Sequence, residues 1–272
     1  MFEFLDQSLE FIYHDGDVTE VAQPHTTGWR TLPYWVTAKG DVEGMLEVEG
    51  MDCMRGSGGA MCVPPGVRHC CTLIAPRGIS RWSSVTFSVL GGIELSQLMD
   101  PPLLIADDAA EKIGEINTEL ALIKNNSSSS IALVARKKAL GFNLLSVIAS
   151  LSKPRTSSPF FPHADRLVPV LTHIRKNLAD EIQVGDLARI AHVSIPRFHK
   201  IFREGVGASP QQYVVRTRMR NAQELLLSTE LSIGAIAARI GQHDPLYFSR
   251  TFKKCYGVSP KQYREKTTRA SF

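Results

Sequence analysis

The side chains with the clearest capacity for binding chemistry are cations in the last third of the sequence. They fall in two short runs, of which the first holds Arg197, Lys200 and Arg203 and the second holds Arg250, Lys253 and Lys254. A guanidinium group can donate two hydrogen bonds at once to O6 and N7 of guanine, and an ammonium group suits a phosphate oxygen. These residue types therefore indicate base edges and phosphates as ligands.

The charge of the whole chain is divided in the same way. The 272 residues carry a net charge of +4, but residues 1–162 have 13 Lys and Arg against 18 Asp and Glu, whereas residues 163–272 have 18 against 9. Each cation placed on a phosphate releases a condensed counterion, which favours binding. A basic third joined to an acidic remainder predicts a polyanion as partner of the basic part alone.

The elements that must position these cations form an internal repeat. At an offset of 49 the matching pairs are Val184 and Ile233, Leu187 and Ile236, Ala188 and Ala237, and Ala191 and Ile240. At an offset of 50 they are Phe198 and Phe248, Phe202 and Phe252, Gly207 and Gly257, Ser209 and Ser259, Pro210 and Pro260, and Tyr213 and Tyr263. The spacing predicts that each copy is a helix, a tight turn and a second helix. The extra residue of the second copy falls in its turn.

In the first copy, His192 and Val193 form the predicted turn, and Ser194 is the predicted N-cap of the following helix. The buried stripe of that helix is predicted to consist of Ile195, Phe198, Ile201 and Phe202.

In the second copy, Gly241 is suited to a positive φ at the turn. Asp244 is the predicted N-cap, and Pro245 takes the first helical position, where a missing N–H costs nothing. His192 stands at the position of Gly241, and histidine tolerates left-handed backbone better than most residues do.

A helix predicted from Ser209 to Ser228 separates the two copies, with Ser209 as cap and Pro210 as first residue. About 20 residues at 1.5 Å each give a rod of roughly 30 Å, close to the ~34 Å of one duplex turn. Such a rod would hold the two copies against successive major grooves on one face of DNA.

Residues 163–266 resemble the DNA-binding domain of the AraC/XylS family of transcription regulators. The most specific segment runs from Gly241 to Lys254 and is followed by Gly257 to Pro260 and by Tyr263 and Arg264. The resemblance implies seven helices, of which the third and the sixth are recognition helices. Gln242 departs from the family pattern, which has an aromatic residue at that position.

The outward positions of the two recognition helices are the predicted DNA contacts. They are Pro196, Arg197, His199, Lys200 and Arg203 on the first helix, and Leu246, Ser249, Arg250, Lys253 and Lys254 on the second. Arg250 is the strongest candidate for a guanine contact. Lys253, Lys254 and Arg203 are better placed for phosphates, which set register rather than sequence preference.

Residues 152–162 contain three prolines and four Ser or Thr without an apolar period, which predicts a linker. Before it, short alternating segments from residue 20 to residue 90 predict an antiparallel barrel. Residues 44–50 and 59–69 resemble the cupin-like sensor domain common in the same family. Two amphipathic helices, at 108–124 and 131–151, follow. We therefore predict an α+β protein of two domains: a cupin-like effector-binding and dimerisation domain at 1–151, the linker, and an all-α domain with two helix-turn-helix units at 163–272.

A small barrel can hold one ligand in its mouth. The predicted lining residues are His25, Arg30, Tyr34, Trp35, Glu47, His69 and Trp82. Polar groups mixed with aromatic faces suit a sugar or another small polar metabolite, although aromatic residues are just as often part of a core. Cupin enzymes hold a metal through a closely spaced His pair and a carboxylate, and no His-x-His is present, so catalysis is not expected.

The composition, with 43% hydrophobic and 21% charged residues, is that of a globular protein. No apolar run reaches the roughly 20 residues of a bilayer span, and the first residues lack the pattern of a secretory signal. We therefore expect a cytoplasmic protein that has no membrane partner. Five cysteines without a Cys-x-x-Cys pair predict neither a disulfide framework nor a zinc cluster, and no cofactor is expected.

Together these observations predict a ligand-responsive, sequence-specific DNA-binding transcription regulator. Its expected partners are double-stranded DNA, a small effector and a second copy of the chain, with RNA polymerase as a further one. Two alternatives stay open: a cupin enzyme with an accessory DNA-binding module, and a regulator whose barrel only dimerises. Turnover or a bound metal would favour the first, and the lack of a thermal shift with any metabolite would favour the second.

Overall fold

The computed structural model describes residues 8–41, 43–51, 54–74, 77–90, 92–124 and 130–269. They divide into a sheet-rich unit, residues 11–87 and 99–155, and a helical unit, residues 8–10, 88–98 and 156–269. A sheet-rich amino-terminal region and a helical carboxyl-terminal region are what the sequence predicts. The segment 88–98 comes from the middle of the amino-terminal region and nevertheless belongs to the helical unit.

The strands form two larger sheets and one short pair. Their bounds are β1 (Glu10–Val21), β2 (His25–Thr26), β3 (Arg30–Thr31), β4 (Trp35–Gly40), β5 (Glu43–Val48), β6 (Met54–Ser57), β7 (Ala60–Val63), β8 (Arg68–Leu73), β9 (Gly78–Val89), β10 (Ile93–Glu94), β11 (Met99–Asp100), β12 (Leu104–Ile105) and β13 (Lys153–Pro154). One sheet has the order β1-β9-β4-β7-β12, with β10 beside β9. The other has the order β2-β8-β5-β6, with β3 beside β8, and β11 pairs with β13.

A closed barrel, which the sequence predicts, is not found among the described strands. No described pairing joins an edge strand of the first sheet, β1 or β12, to an edge strand of the second, β2 or β6. Closure needs every strand to have two partners. The two larger sheets are therefore separate and do not close into one barrel.

Two helices cover one face of the larger sheet, α1 (Asp107–Lys124) and α2 (Ile131–Leu151). Asn117 of α1 is fully buried and accepts hydrogen bonds from the hydroxyls of Thr37 and Ser83, at 3.1 and 2.6 Å. Its amide nitrogen donates to the carbonyl of Arg81 at 3.1 Å. A buried amide with its partners in place ties α1 to β4 and β9 in one register, because each lost bond would leave a costly unpaired group.

Seven α-helices make up the described part of the chain from residue 164 onward, the number that the family resemblance implies. They are α3 (Ala164–Lys176), α4 (Val184–Ile190), α5 (Ile195–Val206), α6 (Pro210–Ser228), α7 (Ile233–Arg239), α8 (Pro245–Tyr256) and α9 (Pro260–Arg269). None of the α-helices in the described ranges is long and apolar enough to cross a membrane.

The segment predicted as a linker, residues 152–162, has regular structure. Lys153 and Pro154 form β13, and a 3-10 helix begins at Phe161. Phe160 is fully buried, with its ring centroid 6.3 Å from that of Phe161. Aromatic burial thus outweighs the loop-forming tendency of the prolines and serines around it.

The repeat has the same core in both copies. In the first aromatic triad (Phe198, Phe202 and Tyr213) the ring centroids of consecutive members are 5.3 and 5.6 Å apart. In the second aromatic triad (Phe248, Phe252 and Tyr263) they are 5.8 and 5.5 Å apart. The last pair of each triad is edge to face, at 78° and 79°. All four phenylalanines are fully buried, so each copy is built around its own triad.

Candidate nucleic-acid interface

The turn inside each helix pair has the same hydrogen bonds. In the first pair, α4 and α5, the N–H of Val193 donates to the carbonyl of Ala188 at 3.1 Å and His192 has a φ of 54°. In the second pair, α7 and α8, the N–H of Gln242 donates to the carbonyl of Ala237 at 2.8 Å. Gly241 has a φ of 74° there. A residue with left-handed backbone, followed by a hydrogen bond that spans five residues, ends a helix sharply. The left-handed backbone at His192 and Gly241 agrees with the prediction.

The caps of α8 agree with the sequence. Pro245 is its first residue, and the Asp244 carboxylate accepts hydrogen bonds from the N–H groups of Leu246 and Tyr247 at 2.8 and 3.2 Å. Gly257 ends the helix with a φ of 77°. The beginning of α8 is therefore stabilised by the side chain that precedes it.

Of two predictions for α5, one is confirmed and one is wrong. Ser194 is the N-cap residue, as predicted, although its side chain makes no capping hydrogen bond. Ile195, which was predicted to belong to the buried stripe, is 49% exposed, whereas Phe198, Ile201 and Phe202 are buried. The first turn of α5 is exposed, because the first aromatic triad, which forms the core of this helix pair, begins one turn later, at Phe198.

The predicted DNA contacts are all at the surface of α5 and α8. Eight of the ten are exposed, and His199 and Ser249 are half-buried. Leu246 is 73% exposed, which is unusual for a large apolar residue and suits contact with a thymine methyl group. The ten residues lie on equivalent faces of equivalent helices, and whether they contact DNA stays a prediction.

Other arginines of the helical unit serve its own structure. Arg218 donates to the carbonyls of Leu178 and Asp180, at 2.9 and 2.7 Å, and burial lowers its pKa. Arg166 donates to the carbonyls of Ala191 and His192 at 3.2 and 3.4 Å and so secures the first turn. The sequence carries no signal for these roles, because the acceptors are backbone carbonyls far along the chain.

Arg220 of α6 is neutralised by acidic residues from elsewhere in the helical unit. Its guanidinium lies 3.0 Å from the hydroxyl of Ser88 and within about 4 Å of the carboxylates of Glu10 and Glu94. The hydroxyl of Tyr213 donates to the carbonyl of Leu90 in the same segment. Residues 88–98 therefore act as a structural part of the helical unit, and Arg220 is not a candidate DNA contact.

In the sheet-rich unit, the predicted ligand residues are not all together. In the β4–β9 register Trp82 lies opposite Ala38 and Trp35 opposite Val85, so the two tryptophans are on opposite faces of the sheet. Trp35 is fully buried against Phe87, with ring centroids 5.9 Å apart, and belongs to the core.

The second sheet separates other members of that set. Glu47 lies opposite Cys70, one residue from His69, and therefore points to the face away from it. His25 is exposed on β2, opposite Leu73. The ring of Tyr34 lies 5.1 Å from that of His14.

Arg30 and His69 are the two members that the structure does bring together. They lie directly opposite each other in the β3–β8 pair. His69 also faces Val48, whose side chain packs on Val63 between the sheets. Among the described residues, neither Nε of Arg30 nor Nε2 of His69 has a hydrogen-bond partner, although both atoms are buried. Unpaired buried polar atoms are rare in folded proteins.

Comparison with known proteins identifies the helical unit. The family profile described as a helix-turn-helix domain matches residues 187–266. The lactose operon transcription activator of Staphylococcus xylosus is 34% identical over 91 residues, which cover 34% of this chain and 33% of the relative. The arabinose operon regulatory protein of Escherichia coli K12 is 31% identical over 127 residues, which cover 46% and 44%.

Among solved structures, the DNA-binding domain of AdpA, a global transcriptional factor, in complex with a target DNA, is 30% identical. That match covers 37% of this chain and 91% of the AdpA domain, with a TM-score of 0.36. The chain thus spans less than half the length of the curated relatives it matches. Its carboxyl-terminal region is a helix-turn-helix domain. Within that class it is of the AraC type, which confirms the resemblance read from the sequence.

Proposed function

We propose that the protein is a ligand-responsive transcription regulator that binds double-stranded DNA in a sequence-specific way through two helix-turn-helix units. The observation that carries the proposal is the duplicated geometry of α4–α5 and α7–α8, which presents the same outward positions twice, 50 residues apart. Most of those positions hold groups that hydrogen-bond base edges or phosphates.

The spacing of the two units supports binding along one face of the duplex. Helix α6 has 19 residues, from Pro210 to Ser228, which corresponds to about 28 Å. Ser209 and Gln212 form a capping box at its beginning, which holds the rod where it leaves the first unit. One duplex turn is about 34 Å, so α5 and α8 are proposed to enter successive major grooves.

Replacing Arg250 with alanine is expected to weaken binding to the selected site by about 1–3 kcal/mol and to relax preference at one base pair. Lys253→Ala is expected to weaken binding to all sequences alike. It should also reduce the magnitude of the slope of log K against log salt by about one, the value for one released counterion. The measurement is a gel shift over a salt series, with a duplex selected from a random-sequence pool by the full chain. Unchanged affinity and preference in Arg250→Ala would mean that α8 does not read bases.

We also propose that the sheet-rich unit binds the effector at Arg30 and His69. Nδ1 of His69 lies 2.9 Å from the carbonyl of Val67, which can only accept, so Nδ1 carries the proton. Burial lowers the pKa of His69, which keeps the ring neutral and leaves a lone pair on Nε2. A hydroxyl group can donate to that lone pair and accept from Nε of Arg30, whereas a carboxylate cannot donate.

This donor and acceptor pair supports a hydroxylated effector such as a sugar. Two relatives named for a lactose operon and an arabinose operon support the same class. The two clefts described at the surface, of about 380 and 350 Å³, lie along α1 and α2 and contain none of the predicted ligand residues. The effector site is therefore proposed at the face between the sheets.

Removing both unpaired groups tests the effector site. The variant Arg30→Met with His69→Phe removes two unpaired atoms but also the hydrogen bond from Nδ1 of His69 to the carbonyl of Val67. These effects oppose each other, so without ligand the variant is expected to melt close to the temperature of the wild type. A neutral sugar at 100 times its Kd should raise the melting temperature of the wild type by about 5–10 °C and leave that of the variant unchanged. A panel of neutral sugars and their uronates is the measurement. A sugar-induced shift that the variant retains, or a shift by uronates alone, would contradict the proposal.

A homodimer is proposed through α1 and α2. The exposed large apolar residues of these helices are Leu122, Ile131, Val134, Phe142 and Leu151, of which Ile131 is 90% exposed. Exposed apolar groups favour association with a second copy. An effector that binds two arrangements of the dimer unequally must change DNA affinity by the same coupling free energy.

The two alternatives make different predictions. A cupin enzyme with an accessory DNA module would turn over a substrate, and a regulator with a silent amino-terminal region would show no melting shift with any metabolite. We favour the ligand-responsive regulator because buried atoms of Arg30 and His69 have no hydrogen-bond partner among the residues that the structure describes, and a ligand can supply one. A cytoplasmic location goes with this function, and RNA polymerase stays an expected partner.

A further inference from the structure

The two helix-turn-helix units are equivalent enough in geometry for their side chains to be compared position by position. Gly207 and Gly257 end α5 and α8 with φ values of 73° and 77°. The two aromatic triads have matching ring distances and angles. A difference in an outward side chain therefore corresponds to a difference in what that unit offers to DNA.

The largest difference in charge is at the last outward position. Lys254 of α8 has Glu204 of α5 as its counterpart at the offset of 50. Helix α8 has no acidic residue between Pro245 and Tyr256, whereas α5 has one, Glu204. A carboxylate thus occupies the position where the second unit has a cation suited to a phosphate.

Glu204 also approaches the base-facing cation of its own helix. Its carboxylate lies 3.9 Å from Nζ of Lys200, the counterpart of Arg250, and 3.3 Å from Nε2 of His163. An exposed ion pair between residues i and i+4 is weak, so Lys200 stays free to move toward DNA. The negative charge of Glu204 remains on the outward face, where it would repel a nearby phosphate. A carboxylate also releases no condensed counterion from DNA, as a cation would.

We propose that Glu204 makes α5 the weaker DNA reader, so that affinity and base preference are concentrated in the half-site bound by α8. The proposal rests on the proposed function, because it assumes that both helices meet DNA. It identifies Glu204 as a residue that sets specificity without contacting a base: the half-site of α5 tolerates more sequences than the half-site of α8.

The experiment measures binding of the full-length variant Glu204→Lys to the duplex selected by the wild type. We expect affinity at 50 mM salt to rise about 5- to 30-fold and the slope of log K against log salt to steepen by about one, the value for one more phosphate contact. The control is Glu230→Lys, which makes the same change of charge at an exposed residue outside both recognition helices. Its affinity should change less than about threefold, with the same slope as the wild type.

Half-site substitution gives a second readout. The half-site of α8 is the one in which Arg250→Ala loses preference, and scrambling it should cost the wild type at least about ten times more affinity than scrambling the other half. In Glu204→Lys the two costs should become similar. Equal costs in the wild type, or a Glu204→Lys variant that behaves like Glu230→Lys, would overturn this inference alone. Failure of the wild type to bind any duplex would overturn the proposed function with it.

Discussion

Replacing Phe252 with alanine is expected to lower the free energy of unfolding of the helical unit by about 3–5 kcal/mol. Phe252 is fully buried, and its ring centroid lies 5.8, 4.5 and 5.5 Å from those of Phe248, Tyr256 and Tyr263. The substitution would remove the central ring of this cluster and leave a cavity under α8, which presents Arg250. We therefore expect DNA binding to fall with stability.

The measurement is urea denaturation of the full chain, followed by circular dichroism at 222 nm. All three tryptophans, Trp29, Trp35 and Trp82, are in the sheet-rich unit, so their fluorescence should report a transition that Phe252→Ala leaves in place. The matched control is Tyr247→Ala on the same helix, because Tyr247 is 45% exposed and should cost less than about 1 kcal/mol. A Phe252→Ala cost below about 1.5 kcal/mol would mean that the second triad is not a core.

The second large effect is expected at the turn between α7 and α8. Gly241→Ala should destabilise the helical unit by about 2–4 kcal/mol, because a side chain there meets both strain and a clash. The φ of Gly241 is 74°, and a Cβ built on it would clash with the carbonyl oxygen of Ala179. A backbone atom cannot rotate away as a flexible side chain can. The turn would have to open, which would reorient α8 relative to α7.

The repeat supplies the control for this substitution. His192 occupies the equivalent turn with a φ of 54° and already carries a Cβ. His192→Ala should therefore change the free energy of unfolding by less than about 1 kcal/mol. Denaturation followed at 222 nm, together with a gel shift on the selected duplex, compares the two variants. If both alanines cost the same, the close approach of Ala179 would not be what makes Gly241 necessary.

Much of the helical unit is predictable because its signals are local. The caps Asp244 and Ser209, the first-position prolines and the left-handed residues at 192 and 241 all act within one turn of their own helix. Helical periodicity then identifies the buried triads. Ile195 is the exception, since periodicity alone does not show where the core under α5 ends.

The sheet-rich unit is less predictable for the opposite reason. Alternation predicts strands but not which strands pair, so it does not distinguish two separate sheets from a closed barrel. Alternation also does not show which face of a sheet a residue occupies. Trp35 and Trp82 are both aromatic, yet they lie on opposite faces. The pairing of Arg30 with His69, 39 positions apart, exists only in the folded sheets.

The sequence by itself determined the duplicated helix-turn-helix pattern, its caps and the outward cations, because helices are specified by contacts three or four residues apart. Only the tertiary structure decided which arginines are used internally, such as Arg218 on the carbonyls of Leu178 and Asp180. It also decided that residues 88–98 belong to the helical unit and that, within the described part of the chain, Nε of Arg30 and Nε2 of His69 have no hydrogen-bond partner. These features depend on which residues the folded chain brings close together, and no local pattern encodes them.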